Sequence, residues 1–157
     1  MARMKRPLYD SRMHRRVIDT LYLDAMVLAD EARSYFDDGG RVDRDALDPM
    51  TRVAFSCESL KVTTRLMHVI AWLLTQRAIG SGEIEPRDAL DPSRRLAPAP
   101  PSDPESLVAM PALARELIAA SCGMHHRVAR LDAAQAEGSI VLPSPVHSLH
   151  GRLASAF

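Results

Sequence analysis

The side chains able to bind a metal or move a proton are few enough to weigh one by one. Six histidines and two cysteines are present. His125 and His126 with His68 invite a metal, but adjacent residues on a helix point about 100° apart and cannot chelate one ion, and no Asp or Glu stands four residues away as in helical zinc motifs. They read as surface or boundary histidines. Cys57 and Cys122 lie far apart with no CxxC spacing, so a reduced pair of small buried residues is expected. A metal or redox sensor made of Cys57, Cys122 and His126 would need those groups within coordinating distance. Ser56, Cys57 and Ser59 fall within a helical pattern, where their amides are engaged, not on the strained turn that activates a nucleophile. Gly39-Gly40 and Gly80-Ser81-Gly82 follow helices where a phosphate cradle would open one. Asp37 and Asp38 sit at an exposed turn. Nothing here points to an enzyme, a cofactor or a metal.

The bulk numbers set the class. A chain of 157 residues is one domain by length and can bury a core without disulfides. It is 46% hydrophobic and 25% charged but only 4% aromatic, a mixture rich in Ala, Leu, Met and Arg that favours helices over sheets. Twenty basic and twenty acidic side chains cancel, which removes any overall field toward nucleic acid or anionic membrane. One local excess remains: Arg3, Lys5, Arg6, Arg12, Arg15 and Arg16 against Asp10. It supports an alternative reading, a helical regulator binding nucleic acid through a basic arm, but without the aromatic interleaving that such contact favours. No apolar run follows the basic residues as in a secretory leader, and none approaches the ~20 residues of a membrane span. A cytoplasmic location is the expectation.

The expected architecture is all-α: an antiparallel three-helix bundle over residues 15–136, with a flexible basic arm at 1–14 and a flexible tail at 137–157. The first helix, about 15–37, places Ile18, Leu21, Ala25, Leu28, Ala32 and Tyr35 on one face, widened by Tyr22, Met26, Ala29 and Phe36. Gly39-Gly40 should end it by supplying a left-handed residue. Asp48-Pro49 then starts the second helix, about 49–79: an Asp to accept orphan amide hydrogens, then proline where no donor is needed. Residues 83–110 hold Pro86, Pro92, Pro98, Pro100, Pro101 and Pro104 and read as a linker, partly polyproline II, too poor in apolar surface to offset its ordering entropy. The third helix, about 111–136, carries Leu113, Leu117, Ala120, Met124, Val128 and Leu131 in one stripe.

The second helix is the most informative stretch. At 100° per residue Val53, Cys57, Leu60, Thr64, Met67, Ala71, Leu74 and Ala78 share one sector, and Phe55, Val62, Leu66, Val69 and Leu73 share another about 180° away. A helix apolar on two faces needs two partners. One face serves the bundle, and the face of Phe55, Val62, Leu66, Val69 and Leu73 is the candidate for a second subunit. Between the sectors runs a band with Glu58, Lys61, Arg65, His68, Trp72 and Gln76, next to Arg77 in the chain, whose Trp and Arg content suits a protein-interaction site.

The residues Glu58-Ser-Leu-Lys-Val-Thr-Thr-Arg-Leu-Met67, Ala71-Trp-Leu-Leu74 and Gln76-Arg-Ala78 resemble the signature of the DUF1465, or RcdA (regulator of CtrA degradation), family of alphaproteobacteria. Leu113-Ala-Arg-Glu-Leu117 and Arg127-Val-Ala-Arg-Leu-Asp132 are similar to its pattern as well, so the likeness covers about 17–136. The resemblance implies a dimeric three-helix bundle without enzymatic activity. Such a protein is an adaptor that delivers substrate proteins, with a response-regulator-like co-adaptor, to the ClpX-type unfoldase of the ClpXP protease in cell-cycle-regulated proteolysis. The tail is part of the working surface in that family. The basic arm and the proline-rich linker match nothing in its pattern.

Overall fold

The computed structural model describes residues 11–139, and among them it contains helices and turns but no strand. Helix α1, Ser11–Ser34, buries Ile18, Leu21, Ala25 and Ala32 as its spacing predicts. It starts within the expected arm; the arm's first ten residues lie outside the described part. The helix widens into one π turn, Tyr35–Gly39, before the short α2, Arg41–Asp45. The expected left-handed stop is not what ends it, because Gly40 has φ −90°. Glycine is needed there for space: a Cβ at position 40 would lie 2.8 Å from both the Tyr35 ring and the Tyr35 carbonyl oxygen. The Tyr35 hydroxyl donates to Asp43 at 3.0 Å. Burial pushes this phenol up to about 12, and the hydrogen bond to Asp43 and its charge add to the rise. Gly40→Ala should therefore displace the ring and its carbonyl, costing about 1–3 kcal/mol. A thermal melt unchanged from the parent would contradict this.

Helix α3 spans Pro49–Gly80. Its start is the one the sequence specifies: Asp48 accepts the Thr51 amide at 3.0 Å, and hydrogen bonding from Thr51 holds the Asp48 carboxyl below its ordinary range. Gly82, at φ +81°, supplies the left-handed residue after this helix. Phe55, Val62, Leu66, Val69 and Leu73 form the centre of the core. Near the α1–α3 turn, Tyr35, Phe36 and Phe55 meet with ring centroids 5.2 to 6.1 Å apart, the edge-on or tilted geometry that aromatic quadrupoles favour.

The last long helix corrects the expected topology. Helix α4 is one turn, Pro104–Leu107, and α5 spans Ala112–Ser139. Along α3 and α5, Arg65 bonds Ser121, Trp72 bonds Asp132, and Gln76 bonds Gln135. The two numbers rise together, so these helices run parallel, and only α1 runs against them. The chain between them must therefore travel back along the full pair. It does so through 3-10 turns at Pro86–Leu90 and Pro92–Arg94 and then a strap without regular structure, residues 95–103. The expected linker is thus an ordered part of the fold. Ala89 and Met110 are buried, and Leu96 and Leu107 pack on the core. The prolines limit what the unfolded chain loses on ordering. With the strap along one flank, the buried stripe of α5 is Ala114, Leu117, Ile118, Ser121, Met124 and Val128, while Leu113 and Ala120 face outward. Residues 140–157 of the expected tail lie outside the described part.

Candidate functional site

Helix α3 has two long faces besides its core contact, and they differ in kind. The first is a polar seam shared with α5 and the strap. Arg65, only 2% exposed, donates to Ser121 Oγ at 3.2 Å, to the Pro100 carbonyl at 2.9 Å and to Ser102 Oγ. The Ser102 hydroxyl in turn donates to Glu58 Oε2, and Glu58 Oε1 receives Lys61 Nζ at 3.0 Å. One serine of the strap thus links a buried cation to a buried carboxylate. Two turns further along α3, the Trp72 indole N–H donates to Asp132 Oδ1 at 2.9 Å. The Arg95 guanidinium closes on the same carboxylate, Nη2 at 2.9 Å and Nε at 3.0 Å from both oxygens. That hydrogen bond and charge hold Arg95 protonated above its already high ordinary range. His125 Nε2 meets the Ala97 carbonyl at 3.0 Å, and the Gln76 and Gln135 amides bond reciprocally at 3.0 and 3.1 Å.

Most of the expected interaction band is therefore internal. Arg65, Trp72 and Gln76 are buried, Lys61 and His68 are half-buried, and Arg77 alone is exposed. Arg77 is held by Asp19 at 3.4 Å and lies 4.5 Å above the Tyr22 ring. A helical period places Arg65, Trp72 and Gln76 on one stripe but cannot say whether water or a polar partner meets them. Of the partners, Asp132 ends the stretch Arg127-Val-Ala-Arg-Leu-Asp132, but nothing in the sequence pairs it with Trp72, or Ser102 and Pro100 of the strap with Arg65. His68 Nδ1 is buried without a hydrogen-bond partner.

The second face is bare. Val53, Leu60, Met67 and Leu74 are 60%, 69%, 63% and 46% exposed, and Cys57, Thr64, Ala71 and Ala78 lie between them along the same sector. The face expected to meet a second subunit, Phe55, Val62, Leu66, Val69 and Leu73, is instead the monomer's own core. The inward sector is made of large side chains throughout, whereas Cys57, Thr64, Ala71 and Ala78 alternate with the large ones in the outward sector, and α1 and α5 pack on the former. No charged residue belongs to the outward sector, and the Thr64 hydroxyl is satisfied by the Leu60 carbonyl at 2.9 Å. A contiguous apolar ridge of this kind marks an interaction surface.

Catalytic and metal chemistry find less support. Cys57 is exposed on the ridge, against expectation, and Cys122 is half-buried on α5. Among the described residues no three His, Cys, Asp or Glu side chains come together to hold a metal, so the sensor of Cys57, Cys122 and His126 lacks its geometry. A cavity of about 440 Å³ opens where α1 begins and α3 ends, beside Arg15, Ile18, Gln76 and Arg77. Arg15, one of the clustered basic residues and part of α1, is engaged there with the Gly80 carbonyl at 3.1 Å. No helix among the described residues is long and apolar enough to cross a membrane.

A family model described as a protein of unknown function, DUF1465, matches residues 9–157. Among solved structures, the crystal structure of RcdA from Caulobacter crescentus CB15 is similar at 30% sequence identity and a TM-score of 0.62. The match covers 75% of this chain and 89% of that one. No curated protein matches.

Proposed function

The chain belongs to the RcdA/DUF1465 family, and from that membership we propose that it is a non-enzymatic adaptor of regulated proteolysis in the cytoplasm. It acts as a homodimer that holds a substrate protein and a response-regulator-like co-adaptor beside the ClpX-type unfoldase of ClpXP. The observation that carries the reading is the bare ridge Val53, Leu60, Met67 and Leu74, on the same helix as the family motif. An adaptor needs no chemistry of its own. Holding two partners together raises their effective concentration to about the millimolar range for short tethers, enough to turn a weak encounter into delivery.

The experiment is reconstituted proteolysis with ClpXP and co-adaptor from the native cell, using substrates identified by crosslinking and pull-down. Full-length protein should speed substrate loss at least several-fold. Leu60→Asp, which sits on an exposed position and spares the core, should remove most of that gain while leaving the helical spectrum unchanged. Substrate lifetimes indifferent to the protein, with no unfoldase peptide in the pull-down, would end the adaptor reading.

A further inference from the structure

The ridge on α3 is self-complementary in one orientation. Its members follow the alternating spacing of three and four over positions 53, 57, 60, 64, 67, 71, 74 and 78, the repeat of a coiled-coil seam. The two heptad positions differ in size. Val53, Leu60, Met67 and Leu74 are large, and Cys57, Thr64, Ala71 and Ala78 are small. We infer that two copies of the chain pair through α3 in antiparallel fashion, about a two-fold axis level with the Arg65–Leu66 peptide bond. This rests on the homodimer of the proposed function and specifies its interface.

In that register Val53 faces Ala78 of the second copy, Cys57 faces Leu74, Leu60 faces Ala71, and Thr64 faces Met67. All eight positions are used, and every layer holds one large and one small residue. Uniform layers let the helices approach evenly, without alternating voids and clashes. A parallel pair would stack Leu60 on Leu60 and Ala71 on Ala71, alternating crowded and empty layers. The axis falls near the middle of α3, Pro49–Gly80, so no part of the ridge is left over. The contact runs about 38 Å at the standard rise and about one helix diameter across. The hollow beside it, lined by Ala29, Phe36, Met67 and Ile70, widens it on the α1 side toward the ~800 Å² per partner of a stable interface. The charges at its border are already paired within the chain, Lys61 with Glu58 and Arg77 with Asp19, so a second copy meets no unpaired like charge from them.

Crosslinking reads the register. In Cys122→Ser protein, a short bismaleimide should not join the two Cys57 thiols, which stand about 25 Å apart across the axis. Adding Leu74→Cys should give a covalent dimer, with Cys57 of one copy joined to the introduced thiol of the other. These two thiols cannot join within one chain, being about 25 Å apart on one helix. Leu74→Cys removes apolar contact from the pair, so Ala71→Leu serves as a second variant. It sets leucine against Leu60 and should raise the dimer Kd at least tenfold by sedimentation, with an unchanged helical spectrum. A parallel pair would be tightened by the same change. Linkage through Cys57 alone, or tighter pairing by Ala71→Leu, overturns the register. A dimer by sedimentation that gives no product between Cys57 and the thiol introduced at position 74 overturns it too, while leaving the homodimer intact. A monomer at all concentrations, or a ridge filled only by a helix of another protein, overturns both the register and the homodimer, and the proteolysis assay then judges the adaptor reading separately.

Discussion

Arg65→Ala should lower the stability of the fold by about 3–5 kcal/mol, the usual cost of removing one member of a buried charged set. The guanidinium supplies donors to Ser121, Pro100 and Ser102, and through Ser102 it meets Glu58. Without it the strap loses two of its hydrogen bonds to α3, and the buried Glu58, whose own partners are Lys61 and Ser102, loses the cation it reaches through Ser102. The loss should be local as well as global. Trypsin should cut after Arg94 or Arg95 well before it cuts the helices, where the parent chain resists. A Glu58→Leu/Arg65→Met double variant should recover much of the loss, since an apolar replacement of a whole buried ionic set is often neutral or better. Denaturant unfolding of the two singles and the double gives the coupling directly. Equal costs for double and summed singles would mean that Ser102 does not link the charges.

Trp72→Ala is the second large effect, at about 3–5 kcal/mol for a buried aromatic truncated to a cavity. At about 2–4 °C per kcal/mol for a chain of this size, the melting temperature should drop by about 10 °C. The indole is 2% exposed and packs among the core while its N–H reaches Asp132. Trp72→Phe separates the two contributions. It keeps most of the volume and loses only the hydrogen bond, about 1 kcal/mol, because Arg95 still satisfies Asp132. Circular dichroism is the proper probe, as Trp72 is the only tryptophan. A Phe variant as damaged as the Ala variant would place the whole effect in the hydrogen bond.

Much of this fold was legible because local chemistry and tertiary packing agree. The stripe of α1 from Ile18 to Tyr35 is buried as its period requires, and Asp48-Pro49 caps α3 as that dipeptide predicts. The two apolar sectors of α3 are also visible in the sequence, but the sector of Phe55, Val62, Leu66, Val69 and Leu73 is core where a second subunit is expected, because a helical period does not say which sector α1 and α5 cover. The strap was the larger omission. Its prolines and polar residues bury little apolar surface, which argues for disorder when burial alone is considered. What holds it is backbone and hydroxyl bonding to Arg65 and His125, and the bond from its own Arg95 to Asp132. A clue was present in the length of the connection. Antiparallel neighbours need only a few residues between them, whereas residues 81–111 are long enough to return along a helix and start a parallel one. The same omission hid the interior fate of Arg65 and Trp72, since their partners could not be placed until the strap and α5 were.

The parallel run of α3 and α5 also orders the cost of assembly. Contacts between α1 and α3 near Phe36 and Phe55 close a short turn, whereas those joining α3 to α5 span 56 to 60 residues. Closing a longer loop costs more entropy and slows the pairing that depends on it. The α1–α3 hairpin is thus the inexpensive half, and α5 with its strap is the half that must be gathered from a distance. The outward ridge belongs wholly to the first half. Its register along α3 is fixed by the hairpin, and the arrival of α5 covers the polar seam while leaving Val53, Leu60, Met67 and Leu74 exposed.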